Sequence, residues 1–299
     1  MIKINFNSPF TPLNYPNLPE VNGVRHATIC SNIKESDLDL AIIIFDELAN
    51  VAGVFTNSET CSAPVSWCRS IINNGVAKAL IVNSGNANAF TGYSGGKNVT
   101  AKTALISNLL GCRADQVFVA STGVIGEQLP IGKILDSIPK LINNTDDKNW
   151  INIAQAITTT DTYPKLFSKK FKIENKEYIL NGVAKGSGMI CPNMATLLGF
   201  FFTDADIPSR VLDFHLKKIN EVTFNAITVD GDSSTSDTLL LFSTGQGPSH
   251  SDIEDELDPK LDDFIIALKE LMLNLCHQVV KDGEGAKKFI TIEVINALT

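Results

Sequence analysis

The sequence predicts a mixed α/β fold of β-sheets packed against helices, and three observations carry that prediction. Short apolar runs recur at 41–45, 51–56, 79–83, 117–121, 197–203, 238–243 and 289–295, with the length and composition of strands. Between them lie segments whose apolar residues step by three and four, the spacing of one helical face. The two kinds of element mix throughout the chain without an internal repeat, which selects layers of sheet and helix and leaves the topology open.

The helices are expected at 97–110, 131–143, 150–157, 209–222 and 260–280. The fourth is introduced by Pro208, a residue suited to a helix's first turn. The last is the clearest: Leu261, Phe264, Ile265, Leu268, Leu271, Met272, Leu275 and Val279 share one face, and Gly283 stands just beyond as a stop. The final strand, 289–295, alternates, with Ile290, Ile292 and Val294 on one face and Thr291 and Glu293 on the other. That is the pattern of a half-buried strand covering one side of a core. Acidic residues 249–258 are expected to form a solvated loop.

Composition narrows the function. A chain of 299 residues with 44% hydrophobic residues has ample material for a buried core. Its net charge of −8, from 25 basic and 33 acidic residues without a dense basic run, argues against a nucleic-acid surface. No apolar stretch approaches the roughly 20 residues of a membrane-spanning helix, and the start Met-Ile-Lys-Ile-Asn-Phe carries no signal-peptide pattern. A cytoplasmic chain follows. Cys30, Cys61, Cys68, Cys112, Cys191 and Cys276 have no zinc spacing and are expected as free thiols.

Four segments are candidates for chemistry. The stretch 182–199 is rich in glycine and runs into the strand at Leu197. Gly182, Gly186 and Gly188 permit unusual backbone angles, so the chain reaching Thr196 is a candidate for strain. An ordinary turn with a buried thiol, Cys191, is the competing reading. In 121–127, Thr122 offers a hydroxyl and Gly123 an amide to an oxyanion, with a helix start expected after Gly126. A tight strand-to-helix connection explains it equally well. The amides of 83–89 line a pocket or tie a loop together. The carboxylates of 230–237 lack the spacing of a calcium loop, and no metal is expected there. His26, His215, His250 and His277 sit in no nucleophile or metal motif, so a Ser-His-Asp enzyme has no anchor.

Six segments occur in order: Asn83-Ser-Gly-Asn-Ala-Asn-Ala, Ser121-Thr-Gly-Val-Ile-Gly-Glu-Gln-Leu-Pro, Thr159-Thr-Asp-Thr-Tyr-Pro-Lys, Lys185-Gly-Ser-Gly-Met-Ile-Cys-Pro-Asn-Met-Ala-Thr, Ile227-Thr-Val-Asp-Gly-Asp-Ser-Ser-Thr and Asp282-Gly-Glu-Gly-Ala. Together they closely resemble the ornithine acetyltransferase (glutamate N-acetyltransferase) family, from about Gly23 onward. The resemblance implies self-cleavage between Ala195 and Thr196, giving an α chain of 1–195 and a β chain of 196–299, assembled as two of each. Thr196 becomes the N-terminal nucleophile, and its freed α-amine, with a pKa of about 7.7 to 8.0, is a base suited to neutral pH.

The implied reaction carries acetyl from N-acetylornithine to glutamate through an acetyl-Thr196 enzyme in arginine biosynthesis. Thr122 and Gly123 match the family's oxyanion donors, while Thr159, Lys185 and Glu284 match its substrate-binding residues. No dissociable cofactor is implied, although some members also accept acetyl-CoA. Family members continue past the Asp-Gly-Glu-Gly motif into a C-terminal substrate-binding segment, so this chain is expected to be shortened at Thr299. Two alternatives accompany this reading: a related self-processing amidase or aminopeptidase with water as acceptor, and an inactive truncated relative.

Overall fold

A computed structural model describes residues 7–35, 37–145, 148–192 and 197–296. The elements follow as β1 (Val24–Ile29), β2 (Leu40–Phe55), α1 (Ala63–Ile71), β3 (Val76–Asn86), α2 (Gly92–Leu110), β4 (Val117–Val124), α3 (Ile131–Asn143), α4 (Trp150–Ala156), β5 (Lys165–Ile173), β6 (Lys176–Lys185), β7 (Leu198–Thr203), α5 (Ser209–Asn220), β8 (Thr238–Ser243) and α6 (Asp262–Lys281). The predicted mixture of sheet and helix is therefore present.

The strands join in the order β4-β3-β2-β8-β7-β6-β5, with β1 also on β2. The pairs β3–β4 and β7–β8 are parallel and the others antiparallel. Strand β2 is the pivot. Its first part, Leu40–Phe45, lies between β1 and β3, and its last part, Asn50–Phe55, pairs with β8. Between them the register with β3 shifts from Ile44 to Ala49, an irregularity that bends a strand. The two arms of the sheet consequently face each other: Phe118 of β4 meets Phe242 of β8 edge-on at 6.2 Å, and Phe45 in the first part of β2 lies 6.4 Å from Phe202 of β7.

A second core lies on the other face of the β5–β8 arm, where Phe201, Leu239 and Leu241 cluster with Leu212 and Leu216 of α5 and Leu271 and Leu275 of α6. Alternate residues of β7 thus enter different cores, Phe200 and Phe202 one and Phe201 the other. Burial on both faces explains why 197–203 is a continuous apolar run in sequence.

Several expectations change. Runs 41–45 and 51–56 belong to one bent strand, and β1, α1, β5 and β6 have no counterpart among the expected elements. Strand β5 is an edge of the sheet carrying Lys165, Lys169, Lys170 and Lys172, a composition that blunts edge pairing and hides a strand from an apolar scan. Gly182 lies inside β6 rather than in a loop. A Cβ there would come within 2.7 Å of Leu271 and 2.8 Å of Leu275, so glycine lets α6 approach the sheet.

Segment 289–295 is irregular, with Ile290, Ile292, Val294 and Ile295 exposed. Alternation alone does not make a strand without a ladder to receive its backbone groups, and none pairs with it among the described residues. Among the same residues, no helix is long and apolar enough to cross a membrane.

Candidate active site

Thr122 and Gly123 lie at the end of β4, opposite Ser84 and Gly85 of β3. Gly123 has φ +129, and an added Cβ would fall 2.3 Å from the Gly85 carbonyl carbon and 2.5 Å from the Asn86 nitrogen. Backbone packs directly on backbone, so only glycine fits. Beneath it, Ser121 Oγ donates to Asn83 Oδ1 at 2.6 Å, and Asn83 Nδ2 donates to the Asn86 carbonyl at 2.9 Å. The amides of the Asn-rich motif therefore tie the two strand ends together. Lys102 Nζ also reaches Asn83 Oδ1, at 3.4 Å, and burial pushes this ammonium down to about 8. The helix expected after Gly126 starts only at Ile131; its dipole acts over its own first turn and does not serve Gly123.

Lys185 ends β6 on the opposing arm and is almost fully buried. Its Nζ donates to Thr122 Oγ1 at 3.1 Å, so the two arms meet through this pair. Burial pushes the Lys185 ammonium below its ordinary value, and the Asp161 carboxylate works against that loss of charge. Asp161 organises the neighbourhood: its Oδ1 accepts from Gly186 N at 2.7 Å and Lys165 Nζ at 2.6 Å, and its Oδ2 accepts from Thr159 N at 3.1 Å.

Lys165 reaches a second carboxylate, Asp282 Oδ2, at 2.6 Å, with all three side chains fully buried. Burial by itself would raise the Asp161 carboxyl, but Lys165 and Lys185 together hold it well below the usual carboxylate range. Two residues beyond Asp282, Glu284 N donates to the Ser187 carbonyl at 2.8 Å. The exposed Glu284 carboxylate covers Gly188, where a Cβ would come within 2.8 Å of Oε1.

Thr122, Gly123, Thr159, Lys185 and Glu284 are thus linked through described contacts. Ala195 and Thr196 lie outside the described residues, but both flanks are placed. Upstream, Met189, at φ +59, donates its N–H to Asp230 Oδ2 at 2.5 Å, and Ile190 donates to Asp230 Oδ1 at 2.8 Å. Downstream, Leu197 N donates to Asp237 Oδ1 at 2.7 Å. Burial pushes the Asp237 carboxyl up to about 8, against the hydrogen bond from Leu197 and the nearby Ser234 hydroxyl and Lys185. A cavity of about 1150 Å³, lined by Trp67, Phe90 and Tyr93, lies between α1 and α2 and includes none of these residues.

Sequence reasoning missed Asp161, Lys165 and Asp282 as parts of the site, and Asp230 and Asp237 as the carboxyls that hold the flanks of segment 193–196. The available signals were local: Asp161 and Lys165 share one motif, and Asp282 opens another. Their pairing was not available, because Lys165 and Asp282 are 117 residues apart.

The ArgJ family model matches residues 25–299. The chain belongs to the ArgJ family. The arginine biosynthesis bifunctional protein ArgJ of Rhizobium meliloti is 45% identical over 293 residues, 97% of this chain and 71% of its own length. The crystal structure of ornithine acetyltransferase from Mycobacterium tuberculosis complexed with ornithine is similar with a TM-score of 0.50 and 29% identity. That match covers 59% of this ArgJ-family chain and 93% of that one. An L-aminopeptidase D-Ala-esterase/amidase from Ochrobactrum anthropi, a variant of the Ntn hydrolase fold, has a TM-score of 0.52 over 93% of this chain and 89% of its own. At 12% identity it shares the fold alone.

Proposed function

We propose that this ArgJ-family chain is a glutamate N-acetyltransferase of arginine biosynthesis, moving acetyl from N-acetylornithine to glutamate through an acetyl-Thr196 intermediate. The observation that carries the reading is the Lys185–Thr122 contact, beside Gly123 and within electrostatic reach of Asp237, which holds the residue next to Thr196. Because Thr122 Oγ1 accepts from Lys185, its own hydrogen is available to a developing oxyanion. Family membership and 45% identity to a bifunctional ArgJ protein support transfer over the hydrolysis of a relative that shares only the fold.

The chemistry follows in two uses of one residue. For self-cleavage, Thr196 Oγ attacks the Ala195 carbonyl carbon, the Ala195–Thr196 C–N bond breaks, and the hydroxyl proton passes to the departing amine. Water then hydrolyses the ester, leaving Ala195 with a carboxylate and Thr196 with a free hydroxyl and amine. For transfer, that amine takes the Oγ proton as Oγ attacks the acetyl carbonyl of N-acetylornithine. Thr122 and Gly123 stabilise the oxyanion, and the proton leaves with ornithine. The glutamate amine then attacks the acetyl-Thr196 ester by the reverse sequence. Lys185 and Glu284 offer a cation and an anion to the zwitterionic substrates, with Thr159 beside them.

Cleavage before Thr196 leaves the sheet intact in this reading. Strand β7 begins at Leu198 and pairs with β6 of the α chain, while β8 of the β chain pairs with β2 of the α chain. The pieces remain interlaced, and two such pairs assemble as α2β2 in the cytoplasm. The acetyl group comes from N-acetylornithine, so this route draws on no dissociable cofactor; acetyl-CoA as an alternative donor is a separate activity to assay.

Incubation with acetyl-labelled N-acetylornithine and glutamate tests the function. Label in N-acetylglutamate, dependent on glutamate, is the expected result. Label appearing only in acetate would replace the transferase with a hydrolase.

A further inference from the structure

Segment 193–196 is flanked on both sides by residues that donate main-chain hydrogens to one loop. Asp230 accepts from Met189 N and Ile190 N, and Asp237 accepts from Leu197 N. The carbonyls adjoining these amides are held too. Ile190 O accepts from Val229 N at 2.9 Å and Thr228 Oγ1 at 3.1 Å, and Leu197 O accepts from Thr238 N at 3.1 Å. The loop is itself anchored to the end of β2 and the start of α1. Thr56 N donates to Asp237 O at 3.1 Å, Thr56 Oγ1 to Ser234 O at 2.7 Å, and Ser62 N to Thr235 O at 2.8 Å.

We propose that Asp230 and Asp237 are positioning residues for self-cleavage, a two-point carboxyl clamp that holds the chain on both sides of the Ala195–Thr196 bond. The inference rests on cleavage at that bond, as proposed above. An attack by Thr196 Oγ on the preceding carbonyl requires the reacting atoms about 3 to 3.5 Å apart. A free chain meets that requirement rarely, because each unconstrained residue samples several backbone wells. Holding Ile190 and Leu197 fixes both ends of the intervening chain before the reaction begins.

The two carboxyls work in different forms. Burial would raise Asp230, but the Met189 and Ile190 amides outweigh it and hold this group ionised, one oxygen on each. Asp237 is fully buried, and its Oδ2 has no hydrogen-bond partner within 3.5 Å among the described residues. The charged group within its reach is Lys185, and burial keeps its proton on at neutral pH. A neutral carboxylic acid at 237 is therefore mimicked closely by Asn, which keeps an oxygen for Leu197 N. Asn at 230 instead places an NH2 against one of two amide donors.

Cleavage is followed by intact mass after cell-free synthesis of the full chain, with thermal melting of each variant as a folding control. Asp230→Asn and Asp237→Ala are expected to slow cleavage at least about tenfold, and Asp237→Asn to stay within about threefold of the unsubstituted chain. Asp230→Asn that has been processed by prolonged incubation is expected to transfer acetyl within about twofold of normal, which a general loss of structure would not allow. Normal cleavage rates in Asp230→Asn and Asp237→Ala would overturn the clamp. So would an Asp237→Asn rate as low as that of Asp237→Ala, or a transfer rate that falls in step with cleavage in Asp230→Asn. Should Asp230→Asn fail to fold, the Asn and Ala contrast at 237 decides. An unsubstituted chain that stays whole would remove the cleavage reading and the clamp together.

Discussion

Thr122 and Gly123 sit at the end of a strand located by backbone-to-backbone contact with Gly85 and Asn86, whereas Lys185, Thr159 and Gly186 on the opposing arm are located by buried charge through Asp161, Lys165 and Asp282. The first arrangement leaves no space and so tolerates no side chain at 123. The second tolerates shape but not the loss of a partner, since each buried ion depends on the others for compensation. The difference teaches which changes each arm resists: sterics on the oxyanion side, charge balance on the substrate side.

Removing the cation at the centre of the charged arm is the largest test. Lys165→Met leaves Asp161 and Asp282 buried without their shared partner and is expected to cost about 3 to 5 kcal/mol of stability, read as a lower denaturant midpoint. A double replacement of Lys165→Met with Asp161→Asn that recovers stability would sharpen the charge-balance view; equal losses in both would break it.

Next in size is Gly123→Ala on the packed arm. Its Cβ meets main chain rather than a movable side chain, so the β4 end must shift and the amide leave its place. Acetyl transfer by the folded fraction is expected to fall about 100- to 1,000-fold through kcat, with a lowered melting midpoint from the displaced strand end. A loss confined to KM would show that Gly123 lines the substrate instead of serving the oxyanion.

Smaller per unit of pH is the effect of Asp237, which lies between the arms. The folded carboxyl keeps its proton up to about 8, while an unfolded aspartate loses it near about 3.9. Between these values the folded state binds the extra proton, so stability falls as pH rises, by about 1 kcal/mol per unit from this group. Below about pH 4 both states are protonated and the contribution is fully present; it is lost as pH passes through about 8. Asp237→Asn is expected to flatten that slope in melts at a series of pH values, and an unchanged slope would show that Asp237 is ionised in the folded protein.

Much of the fold was legible where a local pattern had a single cause. Helices α3, α5 and α6 and strands β7 and β8 lie close to their expected positions because their apolar residues are buried by the fold those patterns imply. The β5–β6 hairpin was not, since its lysine-rich edge strand and Gly182 both resemble loop sequence until α6 is in place against them. Segment 289–295 misled for the opposite reason, an alternating pattern with no ladder beside it among the described residues. In the site, motif order brought out Thr122, Gly123, Thr159, Lys185 and Glu284. The carboxyls that position them are set by contacts between distant segments, such as the 120 residues separating Thr162 from Asp282, and a single sequence does not express such pairings.

The most direct measurement is the intact mass of the protein after brief exposure to N-acetylornithine without glutamate, followed by addition of glutamate. The fragment beginning at Thr196 should gain one acetyl group, about 42 Da, and lose it on addition of glutamate as N-acetylglutamate forms. An acetyl group that never appears on that fragment during turnover, or that appears on another residue, would contradict Thr196 as the nucleophile.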